Sequence, residues 1–165
     1  MSDPKTELLL EDLKQADAAV RDTATQTLWQ NWFRQKGEWG LTLLQQSQLA
    51  VNSGELDRAE LILNDVIRSQ PDFAEAWNRR AVLYYLQGRY TAAISDCQHV
   101  LDIVPFHFGA LHGLGLCHAA LKNYRSAIYA FRRALEIQPY AVANQKFLLE
   151  CTMQLESSDR SDLES

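Results

Sequence analysis

Signatures of chemistry are missing from this chain. It has no CxxC, HxxxH or HExxH spacing that would hold a metal, no glycine loop built to cradle phosphate and no nucleophile elbow. It also lacks a pair of carboxylates at catalytic spacing, so neither an enzyme nor a cofactor is expected. No apolar run reaches the length of a signal core or a membrane span. Positive charge is in deficit, with 16 Lys and Arg against 21 Asp and Glu, and the imbalance lies at the two ends because residues 40–151 carry ten of each. A neutral middle offers no electrostatic footprint to a phosphate backbone, which argues against nucleic acid as a partner. Cysteine is scarce: Cys97, Cys117 and Cys151 are odd in number, follow no motif and fall in helical segments where small apolar residues fit. Free thiols of that kind suit a reducing compartment, and the cytoplasm is the expected location.

What the chain does have is a period. Pro71, Pro105 and Pro139 stand 34 residues apart, and Ala59, Ala93 and Ala127 keep the same spacing. Gly54 and Gly88 repeat at that distance as well, as do the large side chains Leu56, Tyr90 and Tyr124. A repeat of this length predicts stacked helix pairs, each with an apolar face that only its neighbours can bury. The alanines belong where two helices approach closely, and each proline stops a second helix because its ring cannot continue the hydrogen-bond ladder.

These residues resemble the tetratricopeptide repeat, W-x2-L-G-x2-Y followed by A-x3-F and P. Residues 74–107 place Trp77, Arg80, Ala81, Tyr84, Ala93, Cys97 and Pro105 at those positions. Residues 108–141 place Leu111, Leu114, Gly115, His118, Ala127, Phe131 and Pro139 there, and residues 40–73 place Leu43, Gln46, Ser47, Ala50, Ala59, Leu63 and Pro71. The resemblance implies an all-α, right-handed solenoid of three helix pairs acting as a non-catalytic adaptor or assembly scaffold.

The flanks read differently. Leu9, Leu10 and Leu13 form one helical stripe, Asp17 caps a second helix, and the string Leu10, Leu13, Asp17, Val20, Arg21, Ala24, Leu28 resembles one HEAT repeat. Residues 1–39 are expected to cap the free end of the first unit, with Trp29, Trp32 and Phe33 against Leu41, Leu43 and Leu44. If those rings stay exposed, the alternative is a homodimer formed through them. Residues 142–156 are expected to close the stack as one helix, and the polar, acidic residues 157–165 to be disordered.

The resemblance also implies a binding groove lined by the first helix of each pair. By phase it contains Leu44 and Gln48, then Asn78, Arg79, Val82 and Tyr85, then Gly109, His112, Gly113 and Leu116, with Lys146 from the closing helix. A peptide or a partner helix is the expected occupant. The carboxylate clamp that grips heat-shock chaperone tails in this family would fall on Leu44, Gln48, Arg79, Gly109 and Gly113, and none has the expected type. A chaperone-tail regulator is therefore disfavoured, and so is a metal-linked one, because His112 and His118 are six residues apart and lie about 120° apart around a helix. Two departures stand out. Arg80 occupies a leucine place and is expected to pair with Asp96 or Glu75, so that Arg80→Leu keeps stability near wild type. Gly109 and Gly113 each cost a helix about 1 kcal/mol against alanine and suggest room for close approach.

Overall fold

The computed structural model describes residues 3–163, with side chains as far as Arg160, and all its regular elements are helices. Asp3 caps α1 (Pro4–Asp12), its carboxylate accepting from the backbone N–H groups of Lys5 and Thr6, and Asp17 caps α2 (Ala18–Phe33) through Ala19 N–H. Three pairs follow: α3 (Gly37–Asn52) with α4 (Leu56–Ser69), α5 (Ala74–Leu86) with α6 (Tyr90–Ile103), and α7 (Phe108–Ala120) with α8 (Tyr124–Ile137). From α3 onward each helix packs on the next, ending with α9 (Val142–Leu163) on α8. This is an all-α solenoid.

The periodic residues do the packing. Ala59, Ala93 and Ala127 are fully buried at the crossings, and at Gly115 an added Cβ would lie 2.5 Å from the Phe131 ring, so glycine lets α8 close on α7. Gln70, Val104 and Gln138 each leave helical geometry just before a proline, as the proline ring demands of its predecessor. Within the pairs, Gly54 and Gly88 turn the chain at φ +77° and +72°. The third turn uses Lys122 instead, at φ +60°, with Asn123 N–H closing onto His118 O at 2.8 Å. A side chain in that region is strained, so Lys122→Gly should raise stability by about 1 kcal/mol in urea unfolding. An unchanged midpoint would mean that this turn carries no strain.

The N-terminal hairpin does not cap the first unit's end. It lies lengthwise across the turns that follow the three prolines. Near α2's C-terminal end Gln35 donates to Asp72 O at 3.0 Å and Lys36 pairs with the Asp72 carboxylate at 2.6 Å. Trp32 stacks on His107 and packs against Phe106 and Phe108. At its other end Thr25 accepts from Gln138 at 3.3 Å and the Arg21 guanidinium sits 4.1 Å over the Tyr140 ring. The physical reason is that the turns present aromatic residues on one edge, and Leu13, Ala24, Leu28 and Trp32 bury against that edge with Val104, Phe106 and Ile137. Only Phe33 reaches the first unit's core. Trp32 is thus buried within the chain, whereas Trp29 and Phe33 stay half-buried on the side that faces α5.

The closing helix also exceeds its expected limit at residue 156, running to Leu163 through the segment expected to be disordered. Ser157 and Ser158 hydroxyls donate to Met153 O and Gln154 O, and Asp159 lies 3.3 Å from Arg125 on α8, so the polar residues find partners in helical form. Residues 164 and 165 lie outside the described residues.

Candidate binding groove

A buried carboxylate organises the inner face. Glu75, 1% exposed in the first turn of α5, accepts from Asn78 Nδ2 at 3.2 Å, Arg79 Nε at 3.2 Å and His107 Nε2 at 3.2 Å. His107 is fully buried at the start of α7, where its Nδ1 accepts the Ala110 N–H at 3.1 Å. That bond leaves the ring proton on Nε2, facing Glu75. Trp32 stacks on the imidazole at 4.0 Å and Trp29 meets it edge-on at 5.4 Å. Arg79 continues the chain of bonds, donating to Gln48 Oε1 and lying 4.9 Å over the Phe33 ring.

A pattern runs through these contacts. Gln48–Arg79, Glu75–His107 and His112–Asn144 join successive first helices at separations of 31, 32 and 32 residues, close to one repeat. They form a polar ladder along the inner face, and its members are satisfied because burial without partners would cost each of them. Glu75 and His107 are absent from the sequence-based groove. The one local clue was an acid in the first turn of a helix, a favourable place beside the exposed N–H groups.

Beside this ladder lie two adjoining cavities. The larger, about 540 Å³, has Gln26, Trp29, Gln30 and Phe33 of α2 on one side and Glu75, Asn78, Arg79 and Val82 of α5 on the other. The smaller, about 150 Å³, sits between α5 and α7, where Val82, Tyr85, Gly113 and Leu116 surround a floor of Cys97 and Cys117. Asn78 and Val82 border both, so the two lie side by side.

Most of the phase-assigned residues come together here. Asn78, Arg79, Val82, Tyr85, Gly109, His112, Gly113 and Leu116 line one cavity or the other. Leu44 does not: it is 2% exposed in the first unit's core, a cluster that includes Ala76 and Leu83 of α5 and against which Phe33 packs. Gln48 borders neither cavity and is held by Arg79 and Asn52. Lys146 is exposed, 3.9 Å from Glu150 and away from both cavities. Gly109 serves the chain itself, because an added Cβ would lie 2.6 Å from the Trp29 ring. At Gly113 a Cβ would meet only Cys97 Sγ, at 3.4 Å.

Arg80 proves to be a packing residue. Its Nε and one terminal nitrogen grip Asp96 at 2.7 and 2.9 Å, the other reaches Asn64 at 2.7 Å, and the guanidinium lies 5.0 Å over Trp77. The two helical histidines part company: His112 borders the inner cavity, whereas His118 lies in a cleft between α6 and α8 on the other side. Burial pushes the Cys97 thiol far up and the Cys117 thiol up to about 11, so both are protonated and neutral near pH 7. Neither should react with an aromatic disulfide reagent in the native protein, and both should do so in urea; rapid native labelling would contradict this burial.

Residues 72–139 match a family model described as tetratricopeptide repeat. Residues 72–139 thus carry the tetratricopeptide pattern. A TPR repeat-containing protein of Rhizobium etli is 38% identical over 97 residues, which is 59% of this chain and 48% of that one. The BBSome complex member BBS4 of Xenopus tropicalis is 32% identical over 69 residues, covering 42% of this chain and 13% of its own length. The chain thus spans about half or less of these curated relatives. In fold it resembles the first tetratricopeptide domain of Spaghetti (RPAP3) bound to an HSP90 peptide, with a TM-score of 0.68, 21% identity, and coverage of 70% of this chain and 92% of that one. It also resembles MamA AMB-1, with a TM-score of 0.64 and 19% identity over 96% of this chain and 87% of that one. The second likeness extends over most of the N-terminal hairpin as well as the tetratricopeptide stack.

Proposed function

We propose that this chain is a non-catalytic protein-interaction adaptor that holds a segment of another protein in the groove between α2, α5 and α7. The observation that carries this reading is the pair of adjoining cavities around Val82, a valine 50% exposed on an inner helix and flanked by Trp29, Phe33 and Tyr85. An apolar side chain left wet beside unfilled, ring-lined space is the anatomy of a binding surface. The tetratricopeptide match over residues 72–139 supports the reading, since stacked helix pairs present extended concave surfaces to their partners.

The groove does not suit an acidic chaperone tail. Of the five clamp places, Leu44 is buried, Gln48 is uncharged and two are glycines. The fifth, Arg79, is already engaged by Glu75 and Gln48. A carboxylate entering here finds no free cation. The buried free thiols fit a reducing compartment such as the cytoplasm.

Photo-crosslinking tests the surface. Benzoylphenylalanine placed at Gln30 or Val82 should join the partner segment, and placed at Tyr129, an exposed residue on α8, it should not. Crosslinks from Tyr129 alone would move the site to the outer helices.

A further inference from the structure

The smaller cavity shows which kind of partner side chain the groove selects. Its border is apolar except for Asn78, His112 and the Tyr85 hydroxyl, and His112 directs Nδ1 to Asn144 Oδ1 at 2.6 Å, away from need of a ligand. Asn78 gives its amide to Glu75. No charged side chain lines this cavity. An apolar hollow of about 150 Å³ has room for a benzene-sized group. Its size is set at Gly113, where the backbone of α7 presents no side chain and a Cβ would project toward Cys97. That glycine stands in mid-helix, where it costs helix propensity, and unlike Gly115 and Gly109 it is not pressed by a ring of the chain itself.

We infer that the hollow between α5 and α7 is a pocket for one uncharged aromatic or branched apolar side chain of the partner, and that Gly113 determines this specificity by leaving the space open. The inference rests on the groove reading above. It commits the partner to a segment whose anchor is a phenylalanine- or leucine-like side chain without a neighbouring carboxylate, since Arg79, the cation of the adjoining cleft, is neutralised by Glu75. Val82 and Tyr85 form the pocket's mouth, and the ring-lined cleft beside α2 receives the next part of the segment.

Toluene stands in for the anchor side chain and benzoate for a charged one. Amide spectra of the full chain titrated with toluene should show saturable shifts at Tyr85, Gly113 and Leu116, whereas benzoate at equal concentration should leave them unmoved. Gly113→Ala should fold, because its Cβ meets Cys97 Sγ at an ordinary 3.4 Å, and should melt no lower than wild type while losing toluene affinity about tenfold. Gly113→Leu should abolish the shifts. The proposal is overturned if toluene moves none of these amides, if both variants bind it as wild type does, or if benzoate binds equally well. A partner whose binding falls on Val82→Glu but not on Gly113→Ala would leave the groove standing and remove the pocket.

Discussion

Arg80→Leu should destabilise the protein by about 3–5 kcal/mol, although leucine is what the repeat pattern places there. Asp96, 3% exposed on α6, takes both of its hydrogen bonds from this guanidinium, and a leucine would leave the carboxylate buried without a donor. The expectation of near-wild-type stability from sequence fails for that reason: the cost lies in the abandoned partner. Replacing both, as Arg80→Leu with Asp96→Leu, should recover most of the loss, since apolar groups of similar volume can stand in for a buried pair. Urea unfolding of the four proteins forms a double-mutant cycle. A coupling energy near zero would show that Asp96 finds another donor, and the pairing would then not be what fixes α5 to α6.

Glu75→Ala should cost a similar amount, about 3–5 kcal/mol. Its removal strands three donors at once, those of Asn78, Arg79 and His107, and the last two carry bonds to the first and third units. The imidazole beneath Trp32 would lose the acceptor that orients it, so the N-terminal hairpin should loosen with the same substitution. Two readouts separate these effects: the unfolding midpoint, and tryptophan fluorescence in the native baseline, which should shift to longer wavelength as Trp29 and Trp32 gain water. A variant with wild-type stability and an unshifted spectrum would show that the polar ladder is not what joins the units.

Much of the stack could be read from the residues because its causes are local and repeated. Alanine at a crossing, proline after a helix and glycine in a turn each state a geometric need within a few residues, and Ala93, Pro105 and Gly88 mean the same thing wherever the phase puts them. Asp96 was legible as a partner of Arg80 because both belong to one helix pair. The hairpin's position was not legible, since its contacts reach as far as Thr25 to Gln138, 113 residues apart, and nothing local distinguishes a ring that covers an end from a ring that lies along an edge. Phase placed Leu44 in the groove, but it is buried in the first unit's core, against which Phe33 from outside the repeats packs. Gly109 and Gly113 looked alike in sequence; only the Trp29 ring above Gly109 separates its role from that of Gly113.

The central claim is that the partner lies in the groove beside α2, α5 and α7. Titration calorimetry of the partner segment against wild type, Val82→Glu and Tyr129→Glu tests it most directly, because both substituted side chains are exposed, at 50% and 64%, and neither substitution should disturb the core. Val82→Glu puts a charge between the two cavities and should weaken binding by tenfold or more, about 1.4 kcal/mol or greater, while Tyr129→Glu on the outer helix should leave it unchanged. Loss of binding in Tyr129→Glu with full affinity in Val82→Glu would contradict the account.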